Sequence, residues 1–534
     1  MSGLGLVNAR GTGPGYFMDS LAQQTVIDEV PSRCSECGET VTAEIIGRQG
    51  KVYQRPNCPD HPAVESLIFS DSDLYRKLDA WNQLIFPEST SASEAPAGAT
   101  TCGCGPTGSL NDPMLAVIDI TNRCNYTCPM CFAAVTGEGE HYFLDPDLVG
   151  TMLRSLLDRA VPCRHIQFSG GEPTLHPEFP RILRMARDMG FDHIQVATNG
   201  SRFVSPDYVR ECEDAGLHTL YLQFDGVNDD VYRALRGRPL FKAKVTAVDN
   251  IATTNMRLVL VPTIAEGVNV DQLGPIFQFA LERSRHITGI SIQPAAHVGR
   301  VDVDVDGGDA EPFNLATLAR EFGEQTGLTR FPEDWFPLNA VSLIGRALGS
   351  VRREVSLAPG CDAHCSLGTY FYIDESNRPH CVPGFFDVDR FFAALAGIRP
   401  AGHQGLLARR ISEIREFNRL AECFDKQKAP PGLTFQRLLR GLEGWEDKSA
   451  GRSAGWSDRG FNGMFVAGMH FMDARSYNLR RLRRCIIQYV TTQREVVPFC
   501  SYNAGARLRN AEEAARVQSA RSTHEAETSR VNPE

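Results

Sequence analysis

The sequence predicts an α/β protein: a partly closed (β/α)6 barrel, preceded by a small metal knuckle and followed by a second cysteine-bearing region. Three observations carry this expectation. Between Met114 and Arg300, buried-strand patterns alternate with amphipathic helical ones; "TNRCNYTCPMCFA" sets Cys124, Cys128 and Cys131 within eight positions; and "CSECG" with "CPDH" places four metal-ligating side chains near the start. The chain has 534 residues, too many for one ordinary core and enough for two or three domains.

Composition narrows the class. Charged residues make up 22% and the net charge is −10, so there is no global basic field and nucleic acid is not the expected partner. No apolar run reaches the roughly 18 residues of a membrane span, and the first twenty residues lack the basic-then-apolar order of a signal peptide. A cytoplasmic location follows. In that reducing compartment, sixteen cysteines read as metal ligands or catalytic thiols rather than disulfides.

In chain order, residues 1–70 form the metal-knuckle domain. Cys34, Cys37, Cys58 and His61 make two pairs separated by twenty residues, a set suited to zinc or a rubredoxin-like iron. Residues 71–112 hold a helix, "DLYRKLDAWNQLIF", and a linker rich in Ser, Ala, Gly and Thr. Residues 113–300 are the barrel core. Its first strand is "LAVIDIT"; its first helix is capped by Asp145 with Pro146 at the first position. Five more strands follow, "HIQFSG", "HIQVATNG", "HTLYLQFDG", "RLVLVPTIAEG" and "TGISIQPAAH", so functional residues belong at strand C-terminal ends. Residues 301–360 are a variable insert. There "VDVDVDGGDAEPF" begins like a calcium loop at Asp302, Asp304, Asp306 and Gly307, but Phe313 stands where a bidentate Glu is needed, so it reads as a solvated acidic loop. Residues 361–505 carry the second group of cysteines, and 506–534 form a polar tail expected to be mobile.

Three thiolates spaced C-x3-C-x2-C, on a loop leaving a strand, can hold three irons of a [4Fe–4S] cube and leave the fourth open. A structural zinc site would want two separated pairs instead. "SGGEPTLHP" follows the second strand and supplies Gly170, Gly171 and Glu172; paired glycines let backbone approach a ligand, and a carboxylate can accept from an ammonium. "TNG", at Thr198 to Gly200, ends the third strand and "LQFDG" the fourth. The Gly-rich segment at Gly170 and Gly171 is not a dinucleotide fingerprint, because it does not read G-x-G-x-x-G.

This set of motifs resembles the signature of the radical S-adenosylmethionine (SAM) superfamily, down to Phe132 after the third cysteine. The resemblance implies an enzyme whose cluster passes one electron to SAM, breaking a carbon–sulfur bond and releasing a 5′-deoxyadenosyl radical that abstracts hydrogen. It implies that Gly170, Gly171 and Glu172 hold the methionine amino group. Asn199 and Gln223 become candidates for the ribose and carboxylate of the cofactor, with a strand-end turn as their other reading. The alternative of a different class is a non-catalytic Fe–S and zinc protein for electron transfer or redox sensing, which leaves Gly170 to Glu172 unexplained.

From about Cys34 to Asn503 the chain is similar to one subgroup of the superfamily, related to tetraether lipid synthase and to pterin methyltransferases. Its markers are "CSECG" with "CPDH", "LAVIDITNRCN" and "CIIQYVTTQREVVPFCSYN". The chain departs from the subgroup at Cys102 and Cys104, where relatives carry a fuller cysteine run, and at Gln488, where they carry His. One or two auxiliary [4Fe–4S] clusters are expected on Cys361, Cys365, Cys381, Cys485 and Cys500. The segment "TYFYIDESNRPH" reads as strand, turn and return, bringing Cys361, Cys365 and Cys381 to one end of a hairpin. Cys163, Cys212 and Cys423 fall on helical or helix-flanking patterns and read as buried small hydrophobes. The subgroup implies a transferase that forms or modifies carbon–carbon bonds on an unactivated, lipid-like substrate in lipid biosynthesis, with a pterin or peptide as the alternative. Its reducing partner would be a ferredoxin or flavodoxin. A basic stretch, "YNLRRLRRCII", reads either as a patch for phosphate head groups at a membrane or as a solvated helix face.

Overall fold

The computed structural model describes residues 24–86, 111–134, 141–303, 311–345, 360–397, 418–438, 461–504 and 507–531. Cys102, Cys104, Asp304, Asp306 and Gly307 lie outside them.

The N-terminal part is an antiparallel meander of β1 (Thr25–Arg33), β2 (Thr40–Arg48), β3 (Lys51–Asn57) and β4 (Ser66–Phe69). Helix α1 (Ser72–Ile85) follows, its first N–H groups satisfied by Asp71, and it buries Leu74, Leu78, Trp81 and Ile85 in the common core.

The core then alternates as the sequence indicates. Its elements are β5 (Leu115–Thr121), β6 (Met130–Cys131), α2 (Pro146–Leu157), β7 (His165–Gly170), α3 (Phe179–Asp188), β8 (His193–Thr198), α4 (Pro206–Ala215) and β9 (Thr219–Gln223). They continue as α5 (Asp229–Arg236), α6 (Phe241–Ile251), β10 (Arg257–Val261), β11 (Thr263–Ile264), α7 (Leu273–Leu281), β12 (Ile287–Pro294), β13 (Arg300–Val301) and α8 (Leu315–Thr326). Strands β12-β10-β9-β8-β7-β5 are neighbours in that order and all parallel. Ala116, Val117, Ile118 and Ile120 on β5 are fully buried, because helices cover a parallel sheet and leave its strands no solvent face. Cys163, Cys212 and Cys423 are buried as expected.

The C-terminal region comprises β14 (Ser366–Asp374), β15 (Pro379–Cys381), α9 (Val388–Ala396), β16 (Phe461–Met469), α10 (Leu479–Arg483), β17 (Ile487–Val490), β18 (Val496–Pro498), α11 (Phe499–Asn503) and α12 (Arg507–Val531). It shares the core sheet rather than standing apart. Strand β16 adds in parallel to β12, with β14 and β15 beyond it; β17 adds in parallel to β5 at the other side, with β18 outermost. The two outer strands, β15 and β18, are not paired with each other, so the sheet stays open.

Two expectations change here. The tail read as mobile contains α12, and Arg516 on it is fully buried, donating to Asp119 O at 2.9 Å and Val490 O at 3.2 Å. A buried guanidinium with carbonyl and carboxylate acceptors holds this otherwise polar helix against the barrel. The basic stretch is taken up by internal partners: Arg480 pairs with Asp28 at 2.5 Å on the half-buried side, Arg484 with Asp362 at 2.8 Å, and Arg481 is 7% exposed. These arginines join the N-terminal meander to the C-terminal region instead of forming a surface patch.

Candidate active site and metal centres

The N-terminal knuckle closes first. Cys34, Cys37, Cys58 and His61 place one ligand atom each within 4.8 Å of all the others. Cys34 Sγ lies 3.7 Å from His61 Nδ1, Cys58 Sγ 3.5 Å from the same nitrogen, and Cys37 Sγ 3.9 Å from Cys58 Sγ. A tetrahedron about zinc with bonds of about 2.0–2.3 Å has edges of about 3.3–3.8 Å, so the set fits that ion. Backbone donation from Cys37 draws the Cys34 thiol down to about 7, toward the thiolate that ligates.

The thiols of the central motif sit on the loop that leaves β5 (Cys124, Cys128) and on the short β6 that ends it (Cys131). Backbone contacts hold this loop. Arg300 Nε donates to Cys128 O at 2.7 Å, Arg236 Nη1 to Met130 O at 2.8 Å, and β6 pairs with β13 through Arg300 and Cys131. Gly299, at φ +72°, allows the closest approach: a Cβ there would lie 2.3 Å from Cys131 O. Burial, and then the neighbouring Glu172 carboxylate, push the Cys124 thiol up to about 12; burial raises Cys128 as well. Burial thus disfavours the thiolates of Cys124 and Cys128, an effect that a cationic iron group would reverse.

Gly170 and Gly171 have a different immediate role from the expected ligand approach. A Cβ on Gly170 would lie 2.0 Å from Thr121 O, and one on Gly171 2.3 Å from Arg123 O. The glycines let the end of β7 close against the cysteine loop, where Gly171 N donates to Thr121 O and Glu172 N to Arg123 O, each at 2.8 Å. Glu172 is fully buried and its carboxylate accepts from Thr174 N, Thr174 Oγ1, Thr198 Oγ1 and Asn199 N. It ties the ends of β7 and β8 together. Asn199 Nδ2 in turn donates to Asn125 Oδ1 at 2.8 Å, on the cysteine loop itself.

Behind Gln223 lies a network that sequence reading missed. Lys244 Nζ donates to Gln223 Oε1 at 2.5 Å and to Asn199 O at 2.6 Å; Gln223 Nε2 contacts Asp225. Arg236 grips Asp225 with Nε at 2.7 Å and Nη2 at 2.8 Å. Burial draws Lys244 down to about 7. The available signal was helical phase: Arg236 shares the buried face of α5 with Val231, Tyr232 and Leu235, and Lys244 that of α6 with Ala247, Val248 and Ile251. A cation on an apolar helix stripe needs an internal partner.

Four of the five remaining cysteines come together. Cys361 and Cys365 immediately precede β14, Cys485 precedes β17, and Cys500 follows β18, so the two pairs come from segments at opposite sides of the open sheet. Burial and then the charges of the neighbouring thiols raise Cys361 strongly and Cys485 to about 12; burial takes Cys500 to about 11. Cys381 is not among them. It pairs with Phe371, six residues into the strand from Cys365 or roughly 20 Å at strand rise. Its sulfur meets Thr369 Oγ1 at 3.5 Å, because the hairpin returns at the far end of β14. The two thiol sites are linked by stacked rings next to their cysteines: Phe132, after Cys131, lies 5.5 Å from Phe499, before Cys500.

Two family models match: the radical SAM superfamily over residues 118–280 and the HMPTM N-terminal zinc ribbon domain over residues 26–70. The 7,8-dihydro-6-hydroxymethylpterin dimethyltransferase of Methanocaldococcus jannaschii is 30% identical over 482 residues, covering 88% of this chain and 92% of that protein. The chain belongs to the radical SAM superfamily, in its pterin methyltransferase-like subgroup. The GTP 3′,8-cyclase of Chlorobaculum tepidum is 26% identical over 33% of this chain and 53% of its own length. Among solved structures, Streptococcus suis SuiB aligns with a TM-score of 0.33 and 16% identity over 39% of this chain and 45% of that one.

As a radical SAM enzyme, the protein uses S-adenosylmethionine and a [4Fe–4S] cluster, and its ribbon fits zinc. The second thiol group also fits a cluster. Among the described residues, the ribbon is the one group of three or more ligands drawn within 4.8 Å, the spread of a single ion. Beside Cys365 and Cys500, Arg481 Nε and His470 Nδ1 are buried without hydrogen-bond partners, which an anionic group between the sulfurs would supply. In a protein lacking Cys124, Cys128 and Cys131, residual iron near four per chain is therefore expected. Iron analysis should show it lost on adding Cys361→Ala and Cys485→Ala and retained on adding Cys381→Ala. Iron that depends on Cys381 instead would overturn this ligand set.

Proposed function

We propose that this radical SAM enzyme is a transferase that methylates carbon on a pterin-like substrate, one SAM being cleaved for hydrogen abstraction and a separate one-carbon donor supplying the methyl group, with Cys124, Cys128 and Cys131 as the ligands of the SAM-binding cluster. The observation that supports it most is the extent of the match to the pterin dimethyltransferase, which runs over 88% of this chain and 92% of that protein, beside the zinc ribbon match over residues 26–70. When bound, the cluster and SAM supply one-electron cleavage of a carbon–sulfur bond, and with it hydrogen abstraction from an unactivated carbon. The chain's own part is positional. Arg300 and Arg236 fix the cysteine loop through its carbonyls, Glu172 locks the ends of β7 and β8, and Lys244 sets Gln223 and the Asn199 carbonyl at the edge of the site. Asn199 and Gln223 would then hold the ribose and carboxylate of SAM from strand ends tied in place by these contacts. Cys361, Cys365, Cys485 and Cys500 hold one auxiliary cluster, and a ferredoxin or flavodoxin supplies electrons.

A lipid-like substrate with carbon–carbon bond formation is the rival reading within the subgroup. Its one sequence feature in this chain, the basic stretch around Arg480, is paired by the half-buried Asp28 and the buried Asp362. The deciding experiment is anaerobic incubation of the reconstituted enzyme with reduced flavodoxin, SAM in excess, a reduced-folate one-carbon donor and a 6-hydroxymethyl dihydropterin. Methylated pterin with stoichiometric 5′-deoxyadenosine is expected. Deoxyadenosine formed only when a membrane lipid extract replaces the pterin would overturn the pterin reading in favour of the lipid one.

A further inference from the structure

Arg481 lies in the wall of the second thiol site and is 7% exposed. Its Nη2 contacts Cys365 Sγ at 3.5 Å and donates to His470 O at 2.9 Å, while its Nε is buried without a partner. Among the described residues it forms no ion pair. The nearby carboxylate, Asp362, is already engaged by Arg484 at 2.8 Å and by His364 at 3.0 Å. A buried guanidinium without a paired counter-ion is costly, and beside the engaged Asp362 the groups left to it are the sulfurs of Cys365 and Cys500, which become anionic when they ligate. The helix that carries it is held from outside. Arg480 pairs with Asp28, and both Ser32 Oγ and Gln54 Nε2 donate to Tyr477 O, at 2.6 and 2.8 Å. The zinc ribbon thus presses α10 and its arginine against the sulfurs.

We propose that Arg481 sets the reduction potential of the auxiliary centre, raising it by placing an uncompensated buried cation against the Cys365 side of the cluster. This rests on the reading that Cys361, Cys365, Cys485 and Cys500 hold a [4Fe–4S] cluster. Such a cluster with four thiolates is anionic and gains further negative charge when it takes an electron. A fixed cation and a hydrogen bond to a cluster sulfur therefore favour the reduced form. Asp362 does not cancel the effect, because Arg484 pairs with it and His364 hydrogen-bonds to it. Arg481 is a positioning and tuning residue, since it acts on the electronics of the centre through Cys365.

The test uses the full chain with Cys124, Cys128 and Cys131 replaced by Ala, so that only the auxiliary centre is observed, in a redox titration followed by electron paramagnetic resonance. Arg481→Gln should retain the cluster and lower the reduced-to-oxidised ratio at fixed poise at least tenfold, about 59 mV for a one-electron couple. Arg481→Lys, which keeps the charge, should recover more than half of that shift. If the Gln variant binds no iron while the Lys variant does, the requirement for a cation at this position is shown by iron content itself. A Gln variant with full iron and the parent's potential, a Lys variant shifted as far as the Gln one, or loss of iron in both would overturn the proposal. Failure of the underlying reading is distinguishable, because the parent protein would then hold no four-iron cluster before any change at Arg481.

Discussion

Replacing Cys124, Cys128 and Cys131 together by alanine is expected to abolish 5′-deoxyadenosine formation and remove about four irons per chain while leaving the fold in place. The loop that carries them is fixed by contacts that do not use the thiols. Arg300 holds Cys128 O, Arg236 holds Met130 O, and Gly299 packs beneath Cys131 O, all through backbone. Removing three half-buried sulfurs therefore deletes ligands without deleting the scaffold. Circular dichroism and ribbon zinc should match the parent, with iron and deoxyadenosine assayed on the same preparation. Deoxyadenosine at the parental level from the triple variant would refute the assignment of these thiols to the SAM-binding cluster.

Arg236→Met should be the most damaging single substitution in the core. It leaves Asp225, which is fully buried, without the two guanidinium contacts that compensate its charge. Breaking a buried pair by removing one partner costs about 3–5 kcal/mol. The Met130 carbonyl is released at the same time, so the cysteine loop loses one of its backbone clamps. Denaturant unfolding should show the loss of stability, and reconstitution should show incomplete iron at the first cluster with the auxiliary iron unaffected. Adding Asp225→Leu should return part of the lost stability, because the double variant removes the stranded charge rather than burying it alone. A single variant as stable as the parent would mean that Lys244, which neighbours Asp225, compensates its charge unaided.

The two kinds of cysteine site differ in how much of them the chain displays locally. The knuckle and the central motif each gather their ligands within a few dozen residues, so spacing alone is nearly a description of geometry: C-x2-C before a hairpin, C-x2-H after it, and C-x3-C-x2-C on one loop. The alternation of strands and helices from Leu115 to Pro294 is equally local, since full burial of parallel strands and capped amphipathic helices leave direct marks in the pattern. Cys381 was misplaced because a strand–turn–strand reading gives the existence of a hairpin but not which end of it a residue occupies. That depends on register: Cys381 sits opposite Phe371, not opposite Ser366.

The sequence by itself therefore determined the barrel, the ribbon ligands, the three-thiol loop and the superfamily, because each is encoded in short-range spacing and periodicity. Tertiary structure decided the rest. Strands β16 and β17, separated by few residues, join opposite sides of the same sheet, and only that choice brings Cys361 and Cys365 to Cys485 and Cys500. It also turned a basic stretch inward, giving Arg480 the carboxylate of Asp28, 452 residues away, and giving Arg481 the sulfurs. A charged side chain advertises that it needs a counter-charge, but not which one. That partner is chosen when distant segments meet, by a burial cost that appears only once the interior has formed.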